Sequence, residues 1–325
     1  MMPGCRSVLA LLALACAPAT AQNAPARPAA TTENVTVTGI KDVDKAVTDF
    51  VGAMAVPTRV AGKLARWRTG ICPIVAGVRP EAVKLLTKLV RDRAAAVGAP
   101  VNDRDSCKPN IEIVFTTTPQ ALLDTIFIKY PHLLGYHDNS AQATKLATVK
   151  WPIQSWYSTA TDDLRGNVLV DGIKPGGVLT LDMPVAAPGG GGGMQTSASP
   201  TVTMTMPGAQ IVNVTGGRFN DGVSSDFNHV VIVVEPAKLL DSELGTLGDY
   251  IALLALTQIE QPEHCQELPT ILNLLAPGCP APPKTLTGVD LAYLRALYKV
   301  TPTANFHGQQ REIIYQMDKS LGAKE

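Results

Sequence analysis

The segment that most limits the fold is His229-Val230-Val231-Ile232-Val233-Val234. Five β-branched apolar residues in a row lack the polar alternation of a strand with one wet face. Such a run is read as a strand buried on both faces, inside a sheet covered by layers on either side. Other segments fit that frame. Lys63 to Ala76 reads as an extended pair or bent strand, and Asn110 to Thr116 as a strand. Asp42 caps a helix running to about Met54. Pro80 and Glu81 open a helix ended by Gly98 and Pro100, with Ala82, Leu85, Leu86, Leu89 and Val90 as its core stripe, and Pro119 opens another helix to about Lys129. Residues 60 to 130 thus alternate strand and helix, the pattern of a sheet with helices on one face.

From Trp151 the period changes to two. Ile153 to Tyr157, Val178 to Leu181, Val202 to Met206 and Ile211 to Val214 are short strand candidates. A glycine-rich loop at 186–200 separates two of them. No Gly-Lys-Ser/Thr follows its five glycines and no helix opens there, so it reads as a linker rather than a phosphate cradle. After Val234 the chain turns helical: Thr246 with Asp249 forms a capping-box variant, and further helices are expected near 265–275, 287–299 (capped by Thr287 with Asp290) and 309–321. The fold class is therefore α+β, a mixed or antiparallel sheet with packed helices and a helical C-terminal part, in one domain over 34–325.

The N-terminus has the form of an export signal. Arg6 lies in a short positive region, Val8 to Ala15 is apolar, and Ala19-Thr20-Ala21 supplies the small residues for cleavage before Gln22. Residues 22–33 read as a disordered leader. The weak lipobox Ala13-Leu14-Ala15-Cys16 offers an alternative in which Cys16 carries lipid. No stretch is long and apolar enough to span a bilayer. Four cysteines remain after the signal, and an even number in an exported chain is read as disulfides, paired by nearest neighbour as Cys72–Cys107 and Cys265–Cys279. Zinc is the competing reading, but no C-x-x-C accompanies them. These features place the protein in the periplasm or outside the cell.

Composition narrows function by exclusion. Twenty-eight basic and 28 acidic side chains balance to zero net charge, without the basic footprint of a nucleic-acid binder. None of the five histidines makes an H-x-x-x-H pair, and no G-x-S-x-G elbow is present. Ser224, Ser225, Asp226 and His229 are close in sequence, which is not triad geometry. His132 and His137 read as part of a hydrogen-bonded loop. Asp162, Asp163 and Asp171 lack EF-hand spacing and read as solvated acids of a hairpin. Tyr136, Trp151, Trp156 and Tyr157 offer a stacking surface, against the plainer role of core filling. No cofactor is expected.

An ordered set of segments carries a resemblance. The strand His229–Val234 precedes the helix Gly245 to Leu256, then Pro269 to Pro277, then Leu286-Thr-Gly-Val-Asp290-Leu-Ala-Tyr-Leu294-Arg-Ala-Leu297-Tyr298. This succession resembles the metzincin-type zincin metallopeptidases, in which H-E-x-x-H-A-L-G-L is followed by a turn and an L-T-x-x-D-x-x-x-L-x-x-L-Y helix. Arg66-Trp67 and Pro109-Asn110-Ile111-Glu112-Ile113 extend the likeness, over roughly residues 60 to 300, to a bacterial zincin-like family of unknown function, some of whose members are described as lipoproteins. Laying Leu254-Ala255-Leu256 on the end of the metzincin helix puts Gly248 and Ala252 at the two zinc-histidine positions and Asp249 at the general-base position. Glycine and alanine bind no metal, so the resemblance implies a fold without zincin chemistry. It implies a pseudo-peptidase that binds an envelope peptide, protein or glycan. The alternative is a hydrolase with a non-standard site drawn from Asp226, His229, Asp249 and His264.

Overall fold

The computed structural model describes residues 42–104, 106–172, 214–215 and 217–322, with the backbone of two further strands at 178–184 and 201–207. All fall in one compact unit. The expected signal and leader and the glycine-rich loop lie outside the described residues, as does most of the strand candidate at 211–214.

Helix α1, Val43–Met54, begins where the Asp42 carboxylate accepts the Lys45 N–H, and it buries Ala46, Val47, Phe50, Val51 and Met54. Strands β1 (Ala65–Arg66) and β2 (Pro73–Ala76) follow, then helix α2, Pro80–Val97, with proline in its first turn. Gly98 ends α2 at φ +83°, a left-handed conformation that favours glycine. Next come β3 (Ile111–Phe115), α3 (Pro119–Lys129), a 3-10 turn at Pro131–Leu134 and α4 (Ser140–Leu146). Strand β4 (Ile153–Asp162) turns into β5 (Val168–Val170). Strands β6 (Val178–Pro184) and β7 (Thr201–Pro207) pair with each other as a separate antiparallel ribbon. Strand β8 is Ser224–Val234, and α5 (Leu244–Leu256), α6 (Gly288–Leu297) and α7 (Phe306–Leu321) complete the order.

The main sheet is mixed, in the order β2-β3-β8-β4-β5, with β1 adding to β8 at Ser225 and Asp226. Strand β8 runs parallel to β3 on one side and antiparallel to β4 on the other. Val230 to Val234 are each no more than 2% exposed. Val230, Ile232 and Val234 join the large core formed with α1, α2, α5, α6 and α7. Val231 and Val233 turn the opposite way, into a smaller core with Trp156, Leu123 of α3 and Leu134. The apolar run thus sits where its lack of alternation required, between two layers. Each of these side chains gains about 1.5–3 kcal/mol from burial.

Four expectations are corrected. Helices cover both faces of the sheet, because α3 packs opposite α2. The core stripe of α2 is Leu86, Val90, Ala94 and Val97, while Leu85 is 45% exposed. Helix α5 starts one turn earlier than Thr246, with Glu243 at its N-cap, and Asp249 is engaged elsewhere. The 265–275 stretch forms only a 3-10 turn at Ile271–Leu274, where Thr270 caps the Leu272 N–H and Pro269 stands just before. The capping box at Thr287 and Asp290 is present in full.

The sulfurs of Cys72 and Cys107, and of Cys265 and Cys279, lie at disulfide distance, with Cα atoms 6.0 and 5.3 Å apart. The first pair ties the start of β2 to the loop before β3. The second closes the loop that carries the 3-10 turn. Among the described residues no helix is long and apolar enough to cross a membrane.

Candidate binding groove

The residues singled out in the sequence are dispersed. Gly248 and Ala252 lie on the face of α5 that packs against α2. A Cβ at Gly248 would stand 3.1 Å from the side-chain ends of both Leu86 and Leu89, so glycine sets the close approach of the two helices. Asp249, 1% exposed, accepts from Arg93 Nε at 2.7 Å and Nη2 at 3.0 Å and from the Leu286 N–H at 3.0 Å. The position aligned with a general base therefore joins α5 to α2 and to the loop before α6.

The remaining polar candidates have separate partners. Asp226 is ion-paired with Arg68, which also holds Asp162 on the neighbouring strand. Burial, opposed by Arg68, raises the Asp226 carboxyl above its ordinary value. His229 Nε2 lies 3.4 Å from Glu112 on β3, and the imidazole holds the Glu112 carboxyl below its usual range. His264 is exposed, and its carbonyl accepts from the Gln266 side chain. Ser225 Oγ donates to Thr58 Oγ1, so the local Ser-Asp-His sequence forms no relay. His137 Nδ1 lies 3.3 Å from the Gly135 carbonyl within its loop. Among the described residues no three His, Cys, Asp or Glu side chains are placed to hold a metal ion.

The hairpin acids are a correction. Asp162, Asp163 and Asp171 are 7%, 5% and 0% exposed, not solvated. Asp171 accepts the hydroxyls of Thr159 and Thr161, and Asp163 accepts the N–H groups of Arg165 and Asn167. They brace the β4–β5 turn.

The open site lies instead along the outer edge of β4. Register fixes which backbone groups face outward. On β8, the Val230 N–H donates to the Asn110 carbonyl and the Val234 carbonyl accepts from the Thr116 N–H, so even-numbered residues turn toward β3. The odd-numbered ones turn toward β4, as the Glu235 N–H does in donating to the Pro152 carbonyl. Ser155 stands opposite Ile232. Its N–H and C=O therefore point away from β8, out of the sheet. Several flanking outward carbonyls are already covered. The Gln261 amide donates to the Ile153 carbonyl at 3.2 Å, Gly135 (φ +97°) packs against the Tyr157 carbonyl, and the Asp171 N–H donates to the Thr159 carbonyl. Strand β5 covers only Ala160 to Asp162.

The exposed stretch opens into a groove of about 430 Å³. One wall comes from the layer that includes α4: Tyr136, Gln142, Lys145, Lys150 and Trp151. The other is the segment leaving α5, Gln258 to Gln261 with Glu263. Gln258 Oε1 is buried there without a hydrogen-bond partner among the described residues, an acceptor left over for an incoming donor. Of the four aromatics, Trp156 is 2% exposed and donates to the Leu146 carbonyl, and the Tyr157 hydroxyl donates to the Leu254 carbonyl. Those two support the floor, while Tyr136 and Trp151 are half-buried at its rim.

The opposite edge of the sheet is closed at its start. The outward groups of Ile71 are paired with Pro100 and Asn102, and Pro73 has no N–H to offer. Ser155, Gln258 and Gln261 carry no sequence motif. For Ser155 the alternation of residues 153–157 marked a strand but not an edge. No protein-family model, curated protein or solved structure matches the chain.

Proposed function

We propose that this chain is an exported, zincin-like binding protein of the bacterial cell envelope, without peptidase chemistry, that holds an extended polypeptide segment along β4. The observation that carries this reading is the outward-facing N–H and C=O of Ser155, which have no partner among the described residues, in a groove also lined by Gln258, whose Oε1 has none there either. An added strand satisfies all three groups by main-chain hydrogen bonds, a mode of recognition that needs no metal. The zincin-like part rests on the segment order in the sequence and on an antiparallel strand lying beside the strand that leads into α5. Export rests on the N-terminal signal pattern and on the paired cysteines.

Display-selected random dodecapeptides, measured against the purified protein and its Ser155→Pro variant, test the reading. Proline at an outward-facing position removes one edge N–H without breaking a bond to β8. Binding is expected to weaken by about fivefold or more, the worth of one hydrogen bond plus the obstructing ring. Zinc by elemental analysis is expected to be well below one per chain, and bound peptide to be recovered uncleaved. Equal binding to Ser155→Pro overturns strand addition. Stoichiometric zinc or cleaved peptide overturns the non-catalytic assignment. Binding only of N-acetylglucosamine oligomers, lost in Trp151→Ala, would replace the polypeptide with a glycan.

A further inference from the structure

We propose that the groove selects segments by charge parity: acidic residues at one alternation of the bound strand, basic residues at the other. The inference rests on the strand-addition reading. A strand added to β4 continues the sheet, so its successive side chains point alternately to the two faces. Those faces have walls of opposite sign. On the side of the smaller core stand Lys145 and Lys150; on the side of α5 stand Glu260 and Glu263. All four are exposed, and none makes an ion pair among the described residues. Arg59, at the end of the groove near Thr159, is 3.9 Å from Asp138 and so is already opposed. Two cations and two anions that line the groove from different sides, without ion-pair partners among the described residues, leave each wall complementary to one parity of a ligand and repulsive to the same charge at the other.

Two eight-residue peptides of identical composition separate parity from overall charge. In Glu-Lys-Thr-Thr-Glu-Lys-Thr-Thr the acids and bases fall on opposite parities. In Glu-Thr-Lys-Thr-Glu-Thr-Lys-Thr they share one, so any register places like charges against a wall. Exposed ion pairs each change affinity by roughly 1.4- to 5-fold, so the first peptide is expected to bind about fivefold or more tightly in low salt. In about 1 M salt, where screening acts within ~3 Å, the two are expected to converge. The double variant Lys145→Glu with Lys150→Glu makes both walls acidic and is expected to abolish the preference while leaving the fold unchanged by circular dichroism. Equal binding of both peptides in low salt, still weakened by Ser155→Pro, overturns the parity rule and leaves strand addition standing. Failure of both peptides to bind at millimolar concentration overturns both. A preference that survives high salt or the double variant overturns the assignment to these charges.

Discussion

Replacing Asp249 with alanine is the sharpest test of what α5 is built for. The carboxylate makes a two-point contact with Arg93 and takes the Leu286 N–H as a third donor, all inside a site 1% exposed. Its loss leaves the guanidinium unpaired and the Leu286 N–H buried without an acceptor. Breaking a fully buried ion pair from one side costs about 3–5 kcal/mol. The Arg93 side chain is 34% exposed and regains part of its hydration, which lowers that figure. The stranded N–H adds about 1–3 kcal/mol. Because the contributions overlap, about 3 kcal/mol is expected for Asp249→Ala, and about half of that for Asp249→Asn, which keeps one oxygen acceptor. Arg93→Ala is expected to cost about as much, since it isolates a buried carboxylate. The double variant should then cost clearly less than the sum, with a coupling of about 2 kcal/mol. Urea unfolding with disulfides intact reads these values from shifts in midpoint at constant slope. Additive single effects, or a cost below about 1 kcal/mol for Asp249→Ala, would refute the view that this carboxylate is a clamp between helices.

Two further outcomes follow from the same packing. Gly248→Ala is expected to change stability by less than about 1 kcal/mol, since helix propensity offsets a 3.1 Å contact with yielding leucine methyl groups; Gly248→His, by contrast, overpacks the α2–α5 contact and is expected to cost about 2–3 kcal/mol, read by thermal unfolding. The Glu112 carboxyl is held below its ordinary value by His229, so its contribution is present above the unfolded value of about 4.3 and is lost as pH falls through the folded one. Glu112 is 42% exposed, so the effect is under about 1 kcal/mol. Glu112→Gln is expected to flatten that acid limb in urea midpoints measured against pH, and an unchanged limb would show that the pair contributes nothing.

Much of the architecture was legible because local chemistry and burial agreed. Asp42, Pro80, Gly98 and the Thr287–Asp290 pair mark helix ends through backbone geometry that only nearby residues need to satisfy. The cysteine pairing was legible because each pair closes a short loop, with separations of 35 and 14 residues. The errors arose where a local pattern fits two answers. Adjacent Leu85 and Leu86 both fit an apolar stripe, and only the position of the sheet exposes the first. Thr246 and Asp249 have the spacing of a cap, but an arginine 156 residues away takes the carboxylate. Buried Lys63, which donates to Asp221 and to the Thr303 and Ala304 carbonyls, reads in sequence as an ordinary surface lysine.

The sequence alone determined that a strand at 229–234 must lie between two layers, because five consecutive β-branched residues leave no side for water. It also determined that α5 has no zinc ligands at Gly248 and Ala252, since neither side chain has a donor atom. Only the tertiary structure decided that this helix face is filled by α2, and that the open site is the edge of β4. Which strand ends a sheet depends on pairings between residues far apart in the chain, and a free N–H at Ser155 differs from a paired one only in what lies beside it.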